Sequence, residues 1–208
     1  MATKLFLRST TANGITDTGD GVVQDMITTA GSAATTGVVN TITGDNVQVQ
    51  WTKTAGGLSM AWISGRVPAG GFTLTTCDLD AWCQENNMSA NCSVRARVYR
   101  YQPGTPTITE LGGPFDDDVE FGTSAASMTW AANVTDTAFA ENDRILLRLF
   151  IEDAPAVNMA TGFTCTLTYN AANAATGDSF FNIAETVAFK AEPIVGTPLS
   201  SPIFGEAP

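Results

Sequence analysis

The sequence predicts an all-β protein, an antiparallel β-sandwich of jelly-roll-like type with extended terminal arms. Apolar and polar residues alternate in most of its patterned segments, which is the period of a half-buried strand. Glycine, asparagine, aspartate and proline separate these segments, and helical periodicity is scarce. The 208 residues, 44% of them hydrophobic, suffice for one β domain with a buried core.

The N-terminal part, residues 1–46, is predicted to be a strand followed by a loop-rich arm. The strand covers residues 4–8, where apolar side chains are concentrated. Residues 11–46 are rich in Gly, Thr, Ala, Asn and Asp, which predicts loops or an extended arm. Within them, residues 22–29 have spacing that fits one short helix.

The sandwich core is predicted over residues 47–189. Residues 58–66 are apolar on both faces, which is typical of a strand in a core or an interface. In residues 72–83 the apolar positions change parity near Thr75 and Thr76, which predicts a bulge or a bend. The remaining candidate strands are residues 47–52, 92–101, 107–111, 127–131, 144–151, 162–169 and 180–189.

A proline-rich C-terminal arm is predicted over residues 190–208. Its four prolines favour an extended chain and exclude it from the interior of a sheet. A frayed terminus is one interpretation. The other is an arm laid across a neighbouring subunit, because exposed apolar side chains usually mark a contact. The predicted partner contacts at the two ends are Leu5, Phe6, Leu7, Ile194, Val195, Leu199, Ile203 and Phe204.

Charge and composition exclude several functional classes. The formal net charge of −11 argues against binding to nucleic acid or to an anionic membrane. The chain has no histidine, which removes the commonest general base, and it is therefore predicted not to be an enzyme. Asp78, Asp80 and Glu85 remain the candidates for a carboxylate pair, the acid–base chemistry that needs no histidine. No apolar stretch is long enough for a signal peptide or a membrane helix, which predicts synthesis in the cytoplasm.

The cysteines and tryptophans each allow two interpretations. No cysteine is part of a C-x-x-C pair, so small buried thiols are predicted, and a disulfide between Cys83 and Cys92 stays open. The tryptophans are predicted either to fill the core or to stack on sugar rings. The four cysteines are Cys77, Cys83, Cys92 and Cys165, and the four tryptophans are Trp51, Trp62, Trp82 and Trp130.

An acidic cluster is the strongest polar feature of the sequence. Its carboxylates could bind Ca²⁺, a hard cation that takes oxygen ligands from a flexible loop. The spacing is not that of an EF-hand, and a solvated acidic loop between two strands is the alternative interpretation. The candidate metal ligands are Asp116, Asp117, Asp118 and Glu120.

Four stretches of the chain carry a resemblance to a known group of proteins. They are residues 5–15 (LFLRSTTANGI), 62–68 (WISGRVP), 93–98 (SVRARV) and 181–185 (FNIAE). Together they resemble structural proteins encoded in the morphogenesis clusters of tailed phages and prophages. The resemblance implies a β-sandwich protein on a virion, without catalytic residues to carry over.

Two functions follow from this resemblance. The first is a capsid decoration, or cement, protein that binds the outer capsid surface and stabilises the shell. Its partners would be the major capsid protein and copies of itself, with a trimer as a plausible oligomer because shells offer local threefold sites. The alternative is a carbohydrate-binding or receptor-binding module on a tail or fibre. A hydrolase on a β scaffold is the third hypothesis.

Overall fold

A computed structural model describes residues 2–12, 14–42, 49–53, 58–104, 106–113, 119–132, 134, 136–153 and 163–190. These residues form strands and connections without any helix, so the all-β prediction is confirmed. No described segment could therefore cross a membrane as a helix. The strands are β1 (Thr3–Thr11), β2 (Val22–Ile27), β3 (Thr35–Ile42), β4 (Val49–Gln50), β5 (Met60–Ser64), β6 (Phe72–Leu74), β7 (Cys77–Glu85), β8 (Cys92–Gln102), β9 (Thr107–Glu110), β10 (Ala126–Ala132), β11 (Thr137–Phe139), β12 (Arg144–Asp153), β13 (Phe163–Tyr169) and β14 (Phe180–Ile183).

Twelve of these strands belong to one large sheet. Its main path runs β3-β13-β7-β14-β1-β2-β5-β12-β8-β9, while β10 pairs with β7 and β4 pairs with β12. Strands β6 and β11 form a separate two-stranded sheet. Among the described strands, β2 and β5 pair in parallel and the other pairs are antiparallel. The sheet is thus dominated by antiparallel pairing, while the jelly-roll-like strand order stays a prediction.

One hydrophobic core joins the two halves of this sheet. Strand β7 alternates buried residues such as Leu79 with half-buried ones such as Asp80, and β12 buries Leu147 and Leu149 in the same core. Because β7 and β12 are not neighbours in the sheet, the sheet must curve until its two halves face each other. Trp62 packs edge-on against Tyr169, with ring centroids 5.5 Å apart, in this core.

Strand β5 is buried on both of its faces, as its apolar pattern predicts. Met60 and Trp62 belong to the main core. Ala61 and Ile63 point the other way, into a second cluster that also holds Leu146. The loop after β1 covers this second cluster, because Ala12 is buried there and Ile15 packs against it.

The N-terminal part of the chain differs from the predicted arm. It contributes β1, β2 and β3 to the large sheet, so residues 1–46 are not a separate arm. The helix predicted at residues 22–29 is wrong, because Val22–Ile27 is the strand β2. It hydrogen-bonds to β1 on one side and β5 on the other, and this pairing outweighs the helical spacing of its apolar residues.

A buried ion pair fixes the loop between β1 and β2. The Arg148 guanidinium donates hydrogen bonds to both carboxylate oxygens of Asp20, at 3.0–3.1 Å, and to the carbonyl of Thr18. The Gln50 amide also donates to Asp20, and the guanidinium lies 4.8 Å from the centroid of the Tyr99 ring. The Asp20 side chain is only 3% exposed, so the ion pair ties this loop to β12 from a buried position.

Elsewhere the predicted strands agree closely with the observed ones. The parity change near Thr75 and Thr76 is larger than the predicted bulge or bend, because the chain breaks there into β6 and β7, which belong to different sheets. Strands β3 and β11 were not predicted from their weak patterns. The last strand is shorter than predicted, because β14 ends at Ile183 and residues 186–189 run on without regular structure.

Candidate functional site

The predicted contacts in the first strand are not at the surface. Leu5 and Leu7 are 0% exposed and Phe6 is 7% exposed. Strand β1 lies between β14 and β2, so its side chains are covered by this chain's own core. The prediction that these three residues contact a partner is therefore corrected: a side chain already buried in its own core offers no surface to a second molecule.

The other predicted site residues fall mostly outside the described residues. This holds for the tail contacts Ile194, Val195, Leu199, Ile203 and Phe204, and for Asp116, Asp117 and Asp118. Glu120 is described and exposed. In the described part of the chain, no group of three or more His, Cys, Asp or Glu side chains is placed to hold a metal ion.

The two ends of the described chain meet at one end of the domain. The Thr3 hydroxyl donates to the carbonyl of Glu185 at 2.7 Å and accepts from the amide of Val187 at 2.9 Å. The backbones of Arg66 and Lys190 exchange two hydrogen bonds. We call this region, made of Thr3, Arg66 and residues 185–190, the terminal end.

A cavity of about 310 Å³ opens at the terminal end. One part of its wall is apolar and includes Ile27, which is 36% exposed, and Phe189. The other part is polar and includes Arg144, which donates to the carbonyl of Ser64 at 3.1 Å. Lys190 also lines the cavity and forms an ion pair with Glu141. A cavity of this size and mixed character suits a small ligand or a short peptide segment.

The outer face of β7 and β14 carries a second polar arrangement. The Asn182 amide donates to the Asp78 carboxylate at 2.6 Å and lies 3.5 Å from that of Asp80. The Thr129 hydroxyl donates to Asp80 from the neighbouring strand β10. Partial burial raises the pKa of the Asp80 carboxyl above its ordinary value. We call the surface formed by Asp78, Asp80, Trp82, Asn182 and Phe180 the outer face.

The three candidate carboxylates are not brought together. Asp78 and Asp80 share the outer face, where the Asn182 amide nitrogen lies 2.6 Å from one carboxylate and 3.5 Å from the other. Two neighbouring carboxyls are what acid–base chemistry on a glycosidic bond requires. Glu85 has the opposite parity and is buried on the core side of β7, with 1% exposure. The outer face thus holds a carboxylate pair, and Glu85 belongs to another site.

Three of the four tryptophans fill the core. Trp51, Trp62 and Trp130 are 0% exposed, whereas Trp82 is half-buried on the outer face. Nearby on the same face, the Phe180 ring is covered by the Lys4 ammonium, which lies 3.3 Å from its centroid. Trp82 is therefore the tryptophan that a sugar could reach.

All four cysteines are buried free thiols, as predicted, and no disulfide joins Cys83 to Cys92. Burial raises the pKa of the Cys77 thiol to about 12 and also raises the pKa of the Cys83 thiol. Since the thiolate is the reactive form of cysteine, these two thiols are expected to be unreactive at neutral pH.

Comparison with known proteins defines the fold but not a family. No family model and no curated protein matches the chain. Two crystal structures of a CocE/NonD family hydrolase from Staphylococcus aureus resemble it, each with a TM-score of 0.50 and 9% sequence identity over 88% of this chain. An aminopeptidase from a marine sediment Thaumarchaeota archaeon is similar over 62% of this chain and 25% of its own, at a TM-score of 0.44 and 7% identity.

These likenesses correct one prediction from the sequence. The chain was predicted not to be an enzyme, yet the same β fold occurs within the chain of a hydrolase, so the absence of histidine does not exclude that class. The chain spans 36% of that hydrolase's length. At 9% identity the likeness shows the fold alone, and no catalytic residue is carried over. The resemblance to phage virion proteins stays a prediction.

Proposed function

We propose that this chain is a decoration protein of a tailed-phage particle, which binds the outer surface of the capsid and stabilises the shell. The geometry of the terminal end carries the proposal. The last described residue, Lys190, lies beside the cavity and next to the start of β1. An attachment made by residues 191–208 would therefore hold the domain by this one end.

The amino acids of the tail suit such an attachment. Prolines stiffen it, which lowers the entropy lost when it is ordered on a partner, and its five large apolar residues supply surface to bury. Each contact could be weak, because many copies bound to one shell add their effects. The acidic surface of the remaining domain would keep decorated particles from sticking together.

Removal of residues 191–208 is expected to abolish binding to the shell. The test is co-sedimentation of the full-length and the truncated protein with empty capsid shells of a tailed phage. The full-length protein should sediment with the shells and raise the temperature at which they break. The truncated protein should stay in the supernatant.

A full-length control separates the apolar contacts from the length of the tail. Serine replaces Ile194, Val195, Leu199, Ile203 and Phe204 in this control, which should also stay in the supernatant. Equal binding by the truncated and full-length proteins would rule out attachment through the tail. Binding of neither protein to shells would contradict the decoration function itself.

A second function, glycan binding on a tail or fibre, is supported by the outer face. Asp78 and Asn182 are already hydrogen-bonded to each other, so a sugar hydroxyl would meet acceptor and donor groups in fixed positions. Trp82 follows Asp80 on the same face of β7 and offers an aromatic surface for the apolar side of a sugar ring.

Replacing Trp82 with alanine is expected to remove glycan binding if the outer face has this function. Loss of a stacking ring should weaken binding by roughly tenfold, about 1.4 kcal/mol. A glycan array followed by calorimetry on any binding sugar measures the effect. The same assay should include the release of reducing sugar, since Asp78 and Asp80 could support hydrolysis. If a glycan binds with the same affinity after Trp82 is replaced, the glycan site does not include Trp82.

A further inference from the structure

Glu85 is a carboxyl group in an unexpected place. It ends β7 with the inward parity of Leu79 and Cys83, and it is 1% exposed. One carboxylate oxygen, Oε2, accepts a long hydrogen bond of 3.3 Å from the amide of Cys92. The other, Oε1, is buried and has no hydrogen-bond donor among the described residues. A buried carboxylate oxygen without a donor costs free energy, which calls for a positively charged partner or a proton.

The group that does face Glu85 is another carboxyl. The side chain of Glu120 lies within hydrogen-bonding reach of it. Two carboxylates in contact repel each other unless a proton or a cation is shared between them. Burial raises the pKa of the Glu85 carboxyl and the neighbouring Glu120 raises it further, while the hydrogen bond from the Cys92 amide acts in the opposite direction.

We propose that Glu85 and Glu120 together bind a hard divalent cation, Ca²⁺ or Mg²⁺, at the far end of the domain from the terminal end. Glu120 is exposed, so a cation can enter from solvent and keep several water ligands while Glu85 holds it from the buried side. The formal charge of −11, with Glu110 and Asp116–Asp118 close in sequence, raises the local concentration of cations.

Thiol ligands do not compete for this role. Cys92 and Cys165 lie close to Glu85, but they are buried and free, and the described residues bring no set of three metal ligands together. A soft metal such as Zn²⁺ would require three or four such ligands in a tetrahedron. Carboxylates alone favour the hard cations.

The site would join three segments of the chain. The amide of Glu85 donates to the carbonyl of Gly122, and the amide of Phe121 donates to the carbonyl of Cys92. Phe121 in turn packs against Trp51, with ring centroids 6.4 Å apart. A cation between Glu85 and Glu120 would therefore link residues 119–122 to the end of β7 and the start of β8.

The experiment is a thermal unfolding measurement on the full-length protein after treatment with EDTA. Millimolar CaCl₂ or MgCl₂ should raise the Tm, compared with NaCl at the same ionic strength. Glu85→Gln and Glu120→Gln keep the side-chain shape and should lose this shift, and calorimetry should find the affinity lowered at least about tenfold. Asp136→Asn, an exposed acidic residue elsewhere, should keep it.

Each other outcome overturns the proposal. A Tm shift that survives in both glutamine variants would show that the cation binds elsewhere on the chain. The absence of any shift in the unchanged protein, with stability gained only on acidification, would show that the two carboxyls share a proton. Glu120→Gln keeps the test valid if Glu85→Gln fails to fold, because Glu120 is exposed.

Discussion

Replacing Leu7 with alanine should lower the free energy of unfolding of the isolated protein by about 2–5 kcal/mol, the range for emptying a buried leucine site. Leu7 is 0% exposed in the middle of the sheet, where β1 pairs with β14 and β2. The loss combines the burial of the side chain with the cavity left behind. Urea unfolding followed by tryptophan fluorescence measures it.

Leu58→Ala provides a matched control for this experiment. Leu58 is 63% exposed, so the same chemical change should cost no more than about 0.5 kcal/mol. The sequence alone favours a different outcome, in which Leu7 contacts a partner and its loss leaves the isolated protein unaffected. Unchanged stability of Leu7→Ala, together with lost binding to shells, would restore that interpretation.

Asp20→Ala should destabilise the protein by about 3 kcal/mol, because it leaves the Arg148 guanidinium half-buried without its carboxylate. The change also frees the loop between β1 and β2, which covers the second hydrophobic cluster. Equilibrium unfolding measures the first effect, and hydrogen exchange of the amides in residues 14–21 measures the second.

An exposed ion pair serves as the comparison. Glu141 pairs with Lys190, but its side chain is 48% exposed, and Glu141→Ala should cost less than about 1 kcal/mol. Similar losses for Asp20→Ala and Glu141→Ala would mean that burial adds nothing to the Arg148–Asp20 pair. The loop would then be held by its backbone and apolar contacts alone.

Some strands were predictable because one face is buried and the other is not. In β8, the buried residues Val94, Ala96 and Val98 alternate with the half-buried arginines Arg95 and Arg97, so the period of two is plain in the sequence. Strand β12 shows the same alternation from Leu147 to Ile151. The all-β class follows from such elements, since helical spacing is confined to the short segment of residues 22–29.

Other strands were missed because their partners, and not their own residues, determine them. Val22–Ile27 has apolar residues at helical spacing, yet β1 and β5 hold it as a strand. Strand β3 contains glycine, asparagine and threonine and is held by β13 at the edge of the sheet. Leu5, Phe6 and Leu7 make both faces of the first strand apolar, which suits an arm that binds a partner as well as a central strand.

The candidate sites were predictable only in part. The acidic run indicated Glu120 but not Glu85, which lies far from it in sequence. A signal for Glu85 was present, because a carboxyl at an inward position of an alternating apolar strand is rare without a partner. The outer face and the terminal end depend on which strands become neighbours, and spacing along the chain does not contain that information.

The pairing of the first strand with the last has a consequence for synthesis. Thr3 is opposite Ile183, so β1 cannot gain its β14 neighbour until residues 180–183 have left the ribosome. Until then, the edge of β1 that pairs with β14 stays unpaired in the nascent polypeptide, and contacts this distant in sequence form slowly. A chaperone that shields residues 3–11 during translation should therefore increase the yield of folded protein.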